Sequence, residues 1–206
     1  MNHYKEQVKE KFDELADSYS DNAVSYIRDK RLEKISKYIK KEDRVLEIGC
    51  GSGNLLKLLN SKNIYGLDIS PKMIEFCKKT IPHGTFISGD AENLPYENNS
   101  FDKVIISEVL YYLPDIEKAL KEANRVLKKE GLLLITSLNK KYNFIKTLVK
   151  VFKIGVHDDV SLPYISLKQL KLLLGKDFKI QEIASVPINF MPSSFSLIFF
   201  IAARKQ

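Results

Sequence analysis

The chain's 206 residues suffice for one domain with a substantial core, and 44% hydrophobic with 29% charged residues exclude wholesale disorder. Cys50 and Cys77, the only cysteines, are too few for a disulfide scaffold. No apolar run approaches the roughly 20 residues that cross a bilayer, and the polar start 1–6 lacks a secretion signal's core, so the expected setting is cytoplasmic.

The first forty residues read as two helices. Val8, Phe12, Leu15 and Tyr19 fall near helical spacing, and a second run carries Ile27, Leu32, Ile35 and Ile39. Short apolar strands then alternate with helical segments: 44–48 with a helix to about 59, 64–67 with 71–79, 85–88, 103–107 with 116–128, and 132–137. Ser70 before Pro71 is an N-cap followed by proline at the first helical position. Asp115 can cap the helix after Pro114, and Gly131 marks the entry to the next strand. Ser166 with Gln169 makes a capping-box pattern opening 167–174. Strands separated by helices imply a parallel sheet with right-handed crossovers. Residues 178–184 and 195–203 have no helical pattern between them and read as an antiparallel pair closing the sheet. The expected fold is a doubly wound α/β sheet with a helical N-terminal extension. No repeat or linker divides it, so 1–206 reads as a single domain.

The strongest local signal is Glu47-Ile48-Gly49-Cys50-Gly51-Ser52-Gly53, after a strand and ahead of an expected helix, where open α/β sheets bind ligands. A nicotinamide-dinucleotide fingerprint would place its third glycine at position 54, which is Asn here. A dinucleotide needs its pyrophosphate seated on a helix N-terminus. The acid Glu47 suits instead a ligand with an ammonium and a sulfonium, as in S-adenosylmethionine (SAM). Asp68 ends the second strand and can accept both hydroxyls of a ribose, or simply lead the next helix. Asp90 follows the third strand and can accept from an adenine amine, or bond its own turn. Three acids at successive strand ends form the pattern.

With these motifs the sequence resembles the class I SAM-dependent methyltransferases, particularly the group of ubiquinone/menaquinone-biosynthesis C-methyltransferases. The likeness lies in 45–53, 66–70, 89–95, 101–106, 109–115 and 125–136. It implies a mostly parallel, seven-stranded, Rossmann-like sheet whose last strand inserts antiparallel between the fourth and fifth. It implies helices over 1–42, a cofactor-binding half over 43–137 and an acceptor side over 138–206. Carried over, it assigns Glu47, Gly49, Cys50, Gly51 and Gly53 to the loop on the methionine side. Asp68 goes to the ribose, Ile69 and Met73 to the flanks of the adenine, and Asp90 with Ala91 to the adenine edge. Ser107 approaches the methionine ammonium. The product is S-adenosylhomocysteine (SAH).

The acceptor side is less legible. Methyl transfer needs alignment more than acid–base groups, so catalytic residues leave a faint trace. Candidates are Glu108, which could orient the acceptor, take its proton or instead contact the cofactor; Tyr111; Tyr19, with core packing as its alternative; and His157, with a surface loop as its alternative. An unperturbed tyrosine, with a pKa near 10, is a poor base. No His/Cys/Asp cluster has metal-ligand spacing, so no metal is expected.

The net charge of +7 is concentrated in 121–153, which holds nine basic and two acidic residues. Its centre, 139–157, alternates Tyr142, Ile145, Leu148, Val149 and Phe152 with lysines. That pattern suits a packed helix, a lid over an apolar acceptor pocket, or contact with an anionic membrane. A small-molecule acceptor, apolar or quinone-like, is the leading expectation, in a monomer or homodimer. Nucleic-acid partners are not expected from so local a charge. Nucleic-acid or protein methylation, and a non-catalytic SAM-binding role, remain the alternatives.

Overall fold

The structure, a computed structural model, describes residues 2–16, 25–140, 160, 162, 164–186 and 198–206. Two N-terminal helices, α1 (His3–Leu15) and α2 (Ser25–Ser36), precede the alternating part. There β1 (Arg44–Ile48), β2 (Asn63–Asp68), α3 (Pro71–Thr80), β3 (Thr85–Ser88), β4 (Phe101–Ser107), α4 (Ile116–Val126) and β5 (Leu127–Leu138) follow in order. The last elements are α5 (Leu167–Leu174), β6 (Phe178–Val186) and β7 (Ile198–Lys205). The seven strands lie in the order β3-β2-β1-β4-β5-β7-β6. Only β7 runs against its neighbours, pairing antiparallel with β5 on one side and β6 on the other.

Period-2 alternation splits the core across the two faces of this sheet. Leu46, Ile48, Val104, Ile106, Leu133, Ile135 and Ile201 pack with Leu120 and Ala123 of α4 and Leu170 of α5. Val45, Ile105, Leu134, Phe200 and Ala202 face the other way, against Ile35 of α2 and Ile74 and Cys77 of α3. Burying each such Leu or Ile contributes roughly 1.5–3 kcal/mol, against about 1 kcal/mol for a helix cap. Packing therefore dominates stability, and the caps set where helices begin. Those caps are as expected. Ser70 accepts from Met73 N with Pro71 in the first turn, Asp115 accepts from Lys118 N, and Ser166 with Gln169 closes a capping box.

Three expectations fail. The last strand does not insert between the fourth and fifth, because β4 and β5 pair directly in parallel from Phe101↔Leu127 to Ser107↔Thr136. Strand β5 begins at Leu127, where a continuing helix was expected, and Glu130 turns it with φ 63 ahead of Gly131. No α-helix follows the glycine loop; a single 3-10 turn, Leu56–Leu58, stands there. The connection from β1 to β2 holds residues 49–62, and the glycine turn takes the first of them, with Gly53 N donating to the Cys50 carbonyl.

Candidate active site

The C-terminal ends of β1, β2 and β4 and the loop after β3 open on a cavity of about 530 Å³. Its opposite wall is one face of α1, made by Lys5, Val8, Phe12 and Leu15 at helical spacing, together with Arg28 and Arg31 of α2. The sheet thus supplies acids and the N-terminal helices supply cations.

The glycine loop turns in the left-handed region, with φ 72 at Gly49 and φ 50 at Gly51. A Cβ at Gly49 would lie 2.2 Å from Val109 Cγ2, so only glycine fits. At Gly51 a Cβ would meet nothing within 4 Å and would project into free space. The loop's amides are already engaged: Gly49 and Cys50 both donate to the Leu67 carbonyl, at 2.7 and 3.0 Å, and Gly51 donates to Asp68 Oδ2 at 2.8 Å. With these amides turned toward β2 and no α-helix opening behind them, the loop lacks the cradle a pyrophosphate requires.

The strand-end acids are strongly buried. Glu47 is 3% exposed, and its Oε2 has no hydrogen-bond partner among the described residues. Burial pushes its carboxyl well above the usual carboxylate range. A cationic group is the natural partner for such an acid. Burial also raises Asp68, opposed by the N–H groups of Ser70 and Gly51 that its two oxygens accept. Asp90 is tied twice. Its Oδ1 accepts from Glu92 N at 2.9 Å, and its Oδ2 lies 2.7 Å from Lys5 Nζ. Lys5 also reaches Glu92 Oε2 at 2.6 Å. Burial alone would lower the lysine, but hydrogen bonds to the two acids outweigh it and raise it.

The end of β4 is built otherwise. Ser107 Oγ pairs with Thr136 Oγ1 at 2.9 Å. Glu108 adopts φ 60, a left-handed conformation that costs a non-glycine residue roughly 1–3 kcal/mol and tends to cluster at functional sites. Tyr111 and Tyr112 follow on a 3-10 turn, with ring contacts to each other at 4.7 Å, to Tyr164 at 4.9 Å and to Phe12 at 5.1 Å.

This geometry has known parallels. Residues 46–135 match a family model described as a methyltransferase domain. The ubiquinone/menaquinone biosynthesis C-methyltransferase UbiE of Campylobacter jejuni is 31% identical over 153 residues, 66% of this chain and 65% of that protein. Over residues 46–135 the chain is similar to SAM-dependent methyltransferases. An uncharacterised protein of Methanocaldococcus jannaschii is 41% identical over 140 residues, 66% of this chain and 55% of its own. The chain thus spans about half to two thirds of the length of these curated relatives. A Thermotoga maritima SAM-dependent methyltransferase, titled a possible histamine N-methyltransferase, superposes with a TM-score of 0.75 over 95% of this chain and 98% of its own. Its 23% identity carries the fold alone.

SAM is the cofactor of this family, and the residues present fit it: an underbonded buried acid, a glycine cradle open at Gly51, and amides closed to phosphate. Of the residues expected around it, Glu47, Gly49, Cys50, Gly51, Asp68, Ile69, Asp90, Ala91 and Ser107 line the cavity. Two do not. Met73 is fully buried behind the wall. Gly53 faces α3's end, where a Cβ would stand 2.8 Å from Ile81 Cδ1. Each shapes the site through packing. Glu108 and Tyr111 also line the cavity. Tyr19 and His157, with nearly all of 139–157, lie outside the described residues. Sequence reasoning missed Lys5 and Arg31. The available signal was a lysine in register with the apolar face Val8, Phe12 and Leu15, and arginines spaced three apart on the second helix.

Proposed function

We propose that the protein transfers the methyl group of SAM to a small, largely apolar acceptor of quinone-like or aromatic type. The observation that carries this reading is the division of one cavity into an acid-lined end at β1–β3 and an aromatic end at β4. Similarity to a quinone-precursor C-methyltransferase supports the acceptor class.

SAM supplies an electrophilic methyl on a sulfonium whose leaving group is a neutral thioether. The chain's own work is alignment, which can account for much of the rate. Glu47 with the 49–51 turn would hold the methionine end, Asp68 the ribose, and Ile69, Ala91 and Asp90 the adenine. The rings of Phe12, Tyr111 and Tyr112 would orient the acceptor and exclude water. The basic segment 139–157 suits an anionic membrane from which an apolar acceptor would be drawn.

The test is SAH formation from SAM across phenols, quinols, amines and carboxylic acids. Turnover with an aromatic or quinol acceptor is expected. Tight SAM binding with no turnover on any class would contradict the reading and favour a non-catalytic role.

A further inference from the structure

Arg31 and Glu108 form a pair that cofactor binding leaves unexplained. Both line the cavity, with Arg31 Nη1 3.8 Å from Glu108 Oε1 and side chains only 15% and 16% exposed. That separation is an ion pair without a hydrogen bond. Glu108 Oε1 has no hydrogen-bond partner among the described residues, and Oε2 receives a long bond of 3.4 Å from the Tyr111 hydroxyl. The groups facing this carboxyl are Arg31 from α2, Tyr111 from the turn after β4, and the Thr136 hydroxyl and Leu138 amide of β5. Lys5, Lys11 and Arg28 are the other cations on the cavity wall. An ionised carboxylate offers about four acceptor positions, so Glu108 has capacity left for a ligand's donor. Beside it stands Tyr111, whose ring is tilted against Tyr112 and edge-on to Tyr164. A donor suited to that wall is a hydroxyl on an aromatic ring.

We propose that Glu108 is the base that takes the hydroxyl proton of an aromatic acceptor, with Arg31 a positioning residue that keeps the carboxylate charged. The inference rests on the methyltransferase reading above. The acceptor O–H bond breaks and its proton passes to Glu108. The electron pair released forms the new bond to the methyl group through oxygen, and the S–CH3 pair remains on sulfur; attack through the adjacent ring carbon adds one step, loss of that carbon's own proton to solvent as the ring becomes aromatic again. Burial raises the Glu108 carboxyl and Arg31 opposes the rise, so the base is ionised only above a raised threshold that Arg31 pulls down.

The experiment measures binding of 1-naphthol and of 1-methoxynaphthalene to enzyme saturated with SAH, across pH. The wild type should prefer the hydroxyl compound at least about tenfold, as a charge-assisted hydrogen bond gives, and should lose that preference on acidification. Glu108→Leu should erase the preference with SAM affinity within about threefold of wild type. Glu108→Gln, which preserves shape, should remove its pH dependence. Arg31→Met should move the loss of preference up by about one pH unit or more, and Arg31→Lys should restore it. Preference surviving in both Glu108 variants, an unmoved pH profile in Arg31→Met, or a matching loss of SAM affinity would overturn the proposal. So would equal binding, or none, of the two probes by SAH-loaded wild type. Failure of the wild type to bind SAM at all would instead contradict the methyltransferase reading.

Discussion

The strand ends of β1–β3 and the end of β4 share one cavity, yet they hold their functional groups by different means. On the first side the acids are fixed by local backbone: Asp68 by the amides of Gly51 and Ser70, Asp90 by that of Glu92. On the second, Glu108 sits in a strained conformation and depends on partners from α2 and β5. Short-range bonds preorganise a site for one constant ligand. Long-range partners leave a site adjustable, as an acceptor pocket must be if one fold is to serve many substrates.

The contrast breaks most completely at Gly49. Gly49→Ala would set a Cβ 2.2 Å from Val109 Cγ2 at φ 72. The expected loss is about 3 kcal/mol, a fall in Tm of roughly 6–12 °C by calorimetry, with SAM binding lost. An unchanged Tm would mean the loop is not held as described. Asp68→Asn keeps the side chain's size but sets an NH2 against one of the two amides the carboxylate holds, so SAM affinity by titration calorimetry should fall roughly 10–100-fold. Full affinity in that variant would remove Asp68 from the site.

The roof over the first side is held by Lys5, whose side chain is 10% exposed between Asp90 and Glu92. Lys5→Met leaves two acids without their cation and should cost about 2 kcal/mol in chemical denaturation. No measurable change would show that α1 is held by its apolar face alone.

Smaller effects come from pH. Glu47 and Glu108 are raised above their ordinary 4.5 by burial, so the ligand-free folded state binds more protons than the unfolded chain just above that value. Their contribution to stability therefore falls as pH rises through the raised range. Glu122, held low by its hydrogen bond to Arg125, has the opposite sign, stabilising above the ordinary range and losing that as pH falls. A cationic ligand favours ionised Glu47, so stabilisation by SAM in thermal scans should grow from pH 5 toward neutrality. Flat ligand stabilisation over that window would contradict the placement of Glu47. The weakest expected effect is selective co-sedimentation with anionic vesicles through 139–157; equal binding to neutral vesicles, or none, removes the membrane contact.

What was legible in the sequence is what short-range physics encodes. Ser70-Pro71, Asp115 and the Ser166–Gln169 box started helices where local capping chemistry said they should. The acids at three strand ends followed from alternation and loop position. What was not legible depends mostly on distant partners. Lys5 meets Asp90 across 85 positions of sequence, and Arg31 meets Glu108 only because α2 folds over β4. Apolar periodicity over 54–59 did not distinguish an α-helix from the single 3-10 turn that stands there. The place of β7 depends on which strand edge is open once β4 and β5 have paired.

The proposed cofactor site depends on a loop whose amides are closed to phosphate and whose acid awaits a cation. The direct test is titration calorimetry of the purified chain with SAM and with NAD at neutral pH. Saturable binding of SAM with release of protons, and no heat from NAD, is the expected result. Binding of NAD without binding of SAM would contradict it.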